Sequence, residues 1–109
     1  MLYNQHRGIE FDLLPWCERQ GVPIMAYSPI EQGRIMLKSL AAKHEARPAQ
    51  IALAWVLRSD NVCAIPQASR PVHVRENHGA LDIRLSTADL AELDRVFPPP
   101  THKEPLAVH

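Results

Sequence analysis

Two short apolar segments, each followed by a proline-containing turn, constrain the fold of this sequence most. Val62–Ile65 precedes Pro66, and residues 22–27 precede Ser28 and Pro29. Both segments contain β-branched or aromatic side chains and are too short for helices, so they predict two buried strands. Helical patterns lie before, between and after them. Because strands that alternate with helices pair in parallel through right-handed crossovers, this order predicts an α/β fold with a parallel sheet.

Three helices are predicted before the second strand. The first covers residues 10–20 and ends at Gly21, a typical helix stop. The second covers residues 35–45, and the third covers residues 48–58. The third helix is apolar nearly all the way round, so we expect it to be covered on more than one side. The apolar face predicted for the first helix consists of Phe11, Leu13, Leu14, Trp16 and Cys17.

Two further helices are predicted after the second strand. Ser69 is the predicted N-cap, and Pro71 an early helical position, of a helix that runs to about Asp82. Ser86 or Thr87 caps the last helix, which ends before three consecutive prolines. We expect residues 1–100 to form one structural unit and residues 101–109 to form an irregular tail.

The predicted sheet is too small to bury itself. Residues 1–4 resemble the end of a strand, which gives about three parallel strands in all. Parallel strands are normally covered on both faces, so three of them leave strand edges and apolar surface in water. The sequence therefore predicts part of a larger assembly, with self-association through the exposed edges as one outcome.

The charge balance and the cysteines exclude several classes of function. Twelve Lys and Arg balance twelve Asp and Glu, which argues against nucleic-acid and membrane partners. No apolar stretch is long enough to span a bilayer, and the N-terminus lacks a signal-peptide pattern. Cys17 and Cys63 have no CxxC spacing and indicate reduced thiols, hence a cytoplasmic protein. The spacing of the six histidines predicts no metal site.

Two polar segments follow the predicted strands, at residues 28–33 and 67–77. Since ligands of parallel α/β folds bind at the carboxyl ends of the strands, both segments point to one side of the molecule, where a cofactor would bind. A helix N-terminus suits phosphate, and a tyrosine ring suits an aromatic base. Each segment taken alone also fits a structural role, as a proline–glycine turn or as a helix cap followed by a solvated face.

Four separated blocks of the sequence resemble a known family. AYSPIEQGR, PAQIALAWVL, AIPQASRPVHVREN and LSTADLAELD are similar, in order and spacing, to the C-terminal part of the aldo-keto reductases. The resemblance implies the C-terminal portion of a (β/α)8 TIM barrel, with about three parallel strands, their helices and a C-terminal helix. It also implies an oxidoreductase that reduces aldehydes and ketones with NADP(H), or alternatively NAD(H). A small carbonyl substrate would bind only if an N-terminal half completed the barrel.

The resemblance assigns candidate cofactor-binding residues at matching positions. Tyr27 falls where the family stacks an aromatic ring on the nicotinamide, and a loop over the pyrophosphate follows it. A second group falls where the family holds the adenosine and its 2′-phosphate. The loop residues are Ser28, Pro29, Ile30 and Gly33, and the adenosine residues are Gln67, Ala68, Ser69, His73, Glu76 and Asn77.

Three positions depart from the family pattern. Gln67 stands where many relatives have lysine, and His73 stands where many have arginine. A neutral amide and a titratable ring thus replace two fixed cations near the 2′-phosphate. Arg47 stands where relatives often have a threonine helix cap, which predicts a helix start weaker by about 0.5–2 kcal/mol.

The catalytic aspartate, tyrosine, lysine and histidine of the family have no counterpart here, so no catalytic residue is assigned. The strand glutamine that holds the carboxamide would lie just before Met1, which suggests a gene fragment or a start codon assigned too late. The alternative hypothesis is therefore a non-catalytic fragment or interaction module that retains the half-barrel.

Overall fold

The computed structural model describes residues 7–27, 37–66 and 68–103, without the side chain of Tyr27. Within these ranges the elements alternate between helices and strands. A 3₁₀ turn at Gly8–Glu10 comes first, and another at Ala80–Asp82 follows the fourth helix. The helices and strands are α1 (Leu13–Gln20), β1 (Ile24–Tyr27), α2 (Lys38–Lys43), α3 (Pro48–Val56), β2 (Val62–Ile65), α4 (Pro71–Gly79) and α5 (Thr87–Val96).

The two strands pair in parallel, as the alternation of strands and helices predicts. Ile24 lies opposite Val62, and the register continues to Tyr27 opposite Ile65. In the described ranges the sheet has these two strands. The third predicted strand, at residues 1–4, lies outside the described residues. The connection from β1 to β2 contains α2 and α3, which is the helical crossover that a parallel pair requires.

α3 is the centre of the core. Ile51, Leu53 and Val56 are fully buried, and Trp55 is nearly so. The covered face of the sheet packs in the same cluster through Ile24, Ala26 and Val62, which alternate with exposed residues. The prediction that α3 is covered on more than one side is confirmed.

The other face of the sheet is open in the described part of the chain. Met25 is 61% exposed and Ile65 47%, and Cys63, which lies opposite Met25 in the register, is also exposed. In a complete (β/α)8 barrel this kind of face is filled by side chains from the other strands. This open face agrees with the prediction that the small sheet leaves apolar surface in water.

α1 is shorter and less buried than its sequence pattern predicts. Its buried residues are Leu14 and Cys17, three positions apart, whereas Phe11 and Trp16 are about half exposed. Trp16 is two residues from Leu14, about 200° round a helix, so it points away from the core and its predicted burial is wrong. The predicted stop is confirmed, because Gly21 adopts the left-handed conformation with φ 67°.

α4 begins differently from the prediction. Its N-cap is Arg70, with φ −127° and ψ 141°, and Pro71 is the first helical residue, so Ser69 as the N-cap is wrong. Since a residue before proline is driven to an extended conformation, Arg70 must be the boundary. The helix ends at Gly79, where an added Cβ would lie 2.9 Å from Gln50 Nε2. The glycine thus leaves room for the side-chain amide of Gln50, which donates to the Glu76 carbonyl.

α5 has the predicted cap. Ser86 Oγ accepts a hydrogen bond from Asp89 N at 3.1 Å, and Ser86 N donates to Asp89 Oδ2 at 2.9 Å. This reciprocal pair is a capping box, which satisfies two backbone donors at the helix start.

A buried arginine joins the first described residues to α5. Arg7 donates from Nη1 to Asp94 Oδ1 at 2.7 Å and to the Phe97 carbonyl at 2.6 Å. It also donates from Nη2 to Glu10 Oε1 at 2.8 Å, and its guanidinium lies 5.1 Å from the centre of the Trp55 ring. These bonds satisfy a cation that burial would otherwise destabilise.

Candidate functional site

The candidate site lies where β2 ends and α4 begins. This is the carboxyl end of a parallel strand, the edge at which α/β folds bind ligands. Five predicted site residues fall in the described ranges here, namely Ala68, Ser69, His73, Glu76 and Asn77. Tyr27 is the last residue of β1, at the same edge of the sheet, because it lies opposite Ile65. The predicted residues Ser28, Pro29, Ile30, Gly33 and Gln67 lie outside the described residues.

A polar cluster links the starts of α3 and α4. We define it as Arg47, Gln50, His73 and Glu76. Arg47 Nε lies 2.8 Å from Glu76 Oε1, and His73 Nδ1 lies 3.3 Å from Glu76 Oε2. Gln50 Oε1 accepts from Arg47 N at 2.9 Å, while Gln50 Nε2 donates to the Glu76 carbonyl at 2.8 Å. Each oxygen of the Glu76 carboxylate thus contacts one nitrogen-bearing ring or guanidinium group.

Local geometry explains the cluster. His73 and Glu76 are three residues apart on α4, so their side chains lie on one face of the helix. Arg47 has an extended backbone before Pro48, the first residue of α3, and in the described ranges its side chain makes no cap to that helix. The Arg47 guanidinium instead reaches across to α4. Arg47 therefore lacks the accepting side chain of a threonine cap, although Gln50 Oε1 accepts from its backbone N–H.

The cluster is accessible to a solute. The side chains of Arg47 and His73 are 70% and 50% exposed, whereas Glu76 is mostly buried between them. Guanidinium N–H groups present a planar fork that fits phosphate or carboxylate oxygens. The arrangement can therefore bind an anion beside His73 while Glu76 holds both partners in place.

An apolar cavity of about 530 Å³ lies on another side of α4. Ala68 and Asn77 line it together with residues of α3, β2 and α4, whereas none of the polar cluster does. The structure therefore divides the predicted adenosine residues into two groups. His73 and Glu76 come together in the polar cluster, Ala68 and Asn77 border the cavity, and Ser69 is exposed between β2 and α4.

Sequence reasoning missed Arg47 and Gln50 as members of the site. Arg47 was singled out only as a poor helix cap, and Gln50 only as part of an apolar helix. Their contacts to Glu76 span 29 and 26 residues, so no local spacing reveals them. The sequence offered one signal for Arg47. It stands at a helix-capping position, where its guanidinium group cannot accept the hydrogen bond that a cap requires.

The described ranges contain neither a candidate metal cluster nor a membrane-spanning helix. No group of three or more His, Cys, Asp and Glu residues there could hold a metal ion. No helix in the same ranges is long and apolar enough to cross a membrane.

Comparison with known proteins identifies the family of the chain. Residues 34–97, more than half of the chain, match the model of the aldo/keto reductase family. The chain belongs to the aldo/keto reductase family. This match contains α2, α3, β2, α4 and α5 and therefore the whole polar cluster.

Individual relatives support the assignment. The chain is 44% identical to methylglyoxal reductase YeaE of Escherichia coli over 109 residues, which cover 92% of this chain and 38% of that protein. It is 32% identical to an NADH-specific methylglyoxal reductase of E. coli over 117 residues, with 76% of this chain and 36% of that protein covered. The chain thus spans less than two fifths of the length of these curated relatives.

A solved structure confirms the fold. An aldo/keto reductase of Klebsiella pneumoniae, crystallised with NADP and acetate, superposes with a TM-score of 0.94 at 42% identity. The superposition covers 100% of this chain and 42% of the Klebsiella chain. The predicted fold class, a portion of an aldo/keto reductase (β/α)8 barrel, is confirmed.

Proposed function

We propose that this aldo/keto reductase chain is the cofactor-binding C-terminal part of an NAD(P)H-dependent oxidoreductase that reduces aldehydes or ketones to alcohols. The polar cluster at the carboxyl end of β2 carries the proposal. Its exposed guanidinium and imidazole groups fit the phosphate-bearing adenosine end of a dinucleotide. The Klebsiella relative was crystallised with NADP, which supports this ligand class.

The proposed cofactor site includes the residues assigned by resemblance. Tyr27 would stack on the nicotinamide and the loop after it would cover the pyrophosphate, while the residues from Gln67 to Asn77 would hold the adenosine. The bound cofactor would supply the hydride. The part of this chain is to bind and orient the dinucleotide at the carboxyl edge of the sheet. Residues 1–100 are proposed to form this unit.

Turnover is proposed to require residues outside this sequence. Hydride transfer to a carbonyl needs a proton donor within hydrogen-bond reach of the developing alkoxide, and the family resemblance assigns no such donor here. The relatives from E. coli include two methylglyoxal reductases, so a small carbonyl compound is the proposed substrate class once an N-terminal half completes the barrel. We expect the purified 109-residue chain to leave methylglyoxal and NADPH unchanged relative to a buffer blank.

Isothermal titration calorimetry with NADPH tests the cofactor proposal. We expect saturable binding to the parent chain and weaker binding to His73→Ala. His102→Ala is the control, since His102 is also an exposed histidine but lies after α5, outside both the polar cluster and the apolar cavity. Absence of saturable binding to the parent, or an equal loss in both variants, would contradict the proposed site.

The open face of the sheet favours one second candidate. Exposed Met25 and Ile65 suit contact with another protein surface, so a non-catalytic interaction module remains the alternative function. Failure of NADPH to bind, together with stable self-association, would favour this alternative.

A further inference from the structure

We propose that Arg47 is a specificity-determining residue for adenosine that carries a 2′-phosphate, because its charge neutralises Glu76 beside His73. This inference rests on the proposed function and concerns which dinucleotide the site prefers. Arg47 belongs to α3, and the family resemblance does not include it among the cofactor-binding residues.

Arg47 and His73 share the Glu76 carboxylate. One oxygen lies 2.8 Å from Arg47 Nε, and the other lies 3.3 Å from His73 Nδ1. Glu76 therefore orients both groups at once. Because His73 Nδ1 and Glu76 Oε2 are only 3.3 Å apart, a ligand phosphate at His73 would also approach Glu76 closely.

The charge of the cluster depends on Arg47. With Arg47 present, its positive charge cancels that of the Glu76 carboxylate 2.8 Å away. Without Arg47, no fixed positive charge in the cluster compensates Glu76. A phosphate dianion would then be repelled by Glu76, whereas an adenosine without the 2′-phosphate would be affected much less.

Arg47 is also accessible to a ligand. Its side chain is 70% exposed, and its contact with Glu76 uses Nε, one of the five N–H donors of a guanidinium. The remaining donors of Arg47 can therefore bond a ligand phosphate while Nε holds Glu76.

Calorimetry with two small probes separates the phosphate effect from general adenosine binding. The probes are adenosine 2′,5′-bisphosphate and adenosine 5′-monophosphate, which differ in the 2′-phosphate. We expect Arg47→Gln to lower the affinity ratio of the bisphosphate over the monophosphate about two- to fivefold, in the range of partly exposed charge pairs. Glutamine keeps the backbone N–H that bonds Gln50, so the helix start is preserved.

Two further variants control the measurement. Arg95→Gln makes the same charge change at an exposed arginine that pairs with Glu92 on α5, and it should leave the ratio unchanged. The double variant Arg47→Gln/Glu76→Gln removes both charges and should return the ratio toward the parent value. An Arg47→Gln ratio equal to that of the parent, or an equal loss for both probes, would overturn the role of Arg47 and leave the proposed function intact. Failure of both probes to bind the parent would instead overturn the proposed function.

Discussion

Lys43 at the end of α2 and Asp89 in the first turn of α5 form a salt bridge, with Nζ 2.6 Å from Oδ1. Asp89 is only 2% exposed, and its second oxygen lies 2.8 Å from His44 Nε2 and accepts from Ser86 N. The carboxylate thus joins α2 to α5, through two residues that are 46 positions apart in the sequence. Chiefly because Lys43 bonds it, and despite the opposing effect of burial, the pKa of Asp89 lies well below its ordinary value. Ser86 and His44 add to the lowering.

The lowered pKa predicts a pH-dependent loss of stability. A group whose pKa is depressed by folding stabilises the native state above its unfolded pKa, near ~3.9 for aspartate, and loses that effect as pH falls further. We expect Asp89→Asn to lower the free energy of unfolding by about 1–2 kcal/mol at pH 7. The difference from the parent should shrink at pH 3. Urea denaturation at both pH values measures it, with the exposed Asp82→Asn as the control.

If the free energies of unfolding of the parent and Asp89→Asn differed by the same amount at pH 7 and at pH 3, this account would be contradicted. An effect of Asp82→Asn as large as that of Asp89→Asn would show that loss of negative charge in general, and not the contact with Lys43, is responsible.

The two cysteines are predicted to differ in reactivity. Cys17 is buried in the hydrophobic core, whereas Cys63 is exposed on the open face of the sheet. Because thiol reactions require access, we expect one fast and one slow thiol per native chain in a disulfide-exchange assay. Cys63→Ser should remove the fast phase and Cys17→Ser should retain it. A single rate for both thiols in the native protein would contradict the burial of Cys17 on α1.

The open sheet face predicts self-association. Met25 and Ile65 present apolar surface on this face, and contiguous patches of that kind drive association. We expect oligomers or poor thermal cooperativity in the purified chain by light scattering and thermal melting. The double variant Met25→Lys/Ile65→Lys should shift the population toward monomer, whereas Val22→Lys, at another exposed apolar residue, should not. A sharp monomer peak with a single cooperative melt in the parent would contradict the prediction.

Cofactor preference is predicted to depend on His73. Its Nδ1 lies 3.3 Å from Glu76 Oε2, and half of its side chain is exposed, so the ring is accessible to a ligand phosphate. We expect His73→Ala to lower the affinity ratio of NADPH over NADH.

Titration of both cofactors by fluorescence measures this ratio in the parent and in His73→Ala. A strong preference for NADPH that ignores the substitution would mean that other residues hold the phosphate.

Elements with strong local patterns were predictable from the sequence. The strand Val62–Ile65 has the predicted bounds, because a short β-branched run before a proline leaves few alternatives. The burial of α3 followed from its continuous apolar surface. The boundary of α4 was misplaced by one residue, because the restriction that Pro71 imposes on Arg70 outweighed the capping preference of serine.

The sequence pattern did not predict the long-range polar contacts. Asp89 follows the Ser86 cap by three residues, which predicts a helix-capping role but not its contacts with Lys43 and His44. Arg47 and Glu76 are similarly brought together by the packing of α3 on α4. In both cases, the charged residue's partner lies in a distant helix, and only the fold determines the distance.

The most direct test of the proposed cofactor site is to follow backbone amide NMR signals of the chain during a titration with NADP⁺. The account predicts saturable shifts that are concentrated at Arg47, at Ser69 before α4 and at His73 and Glu76 of α4, with α5 signals unchanged. Shifts confined to the apolar cavity, at residues such as Leu53 and Leu81, or no saturable shifts at all, would contradict it.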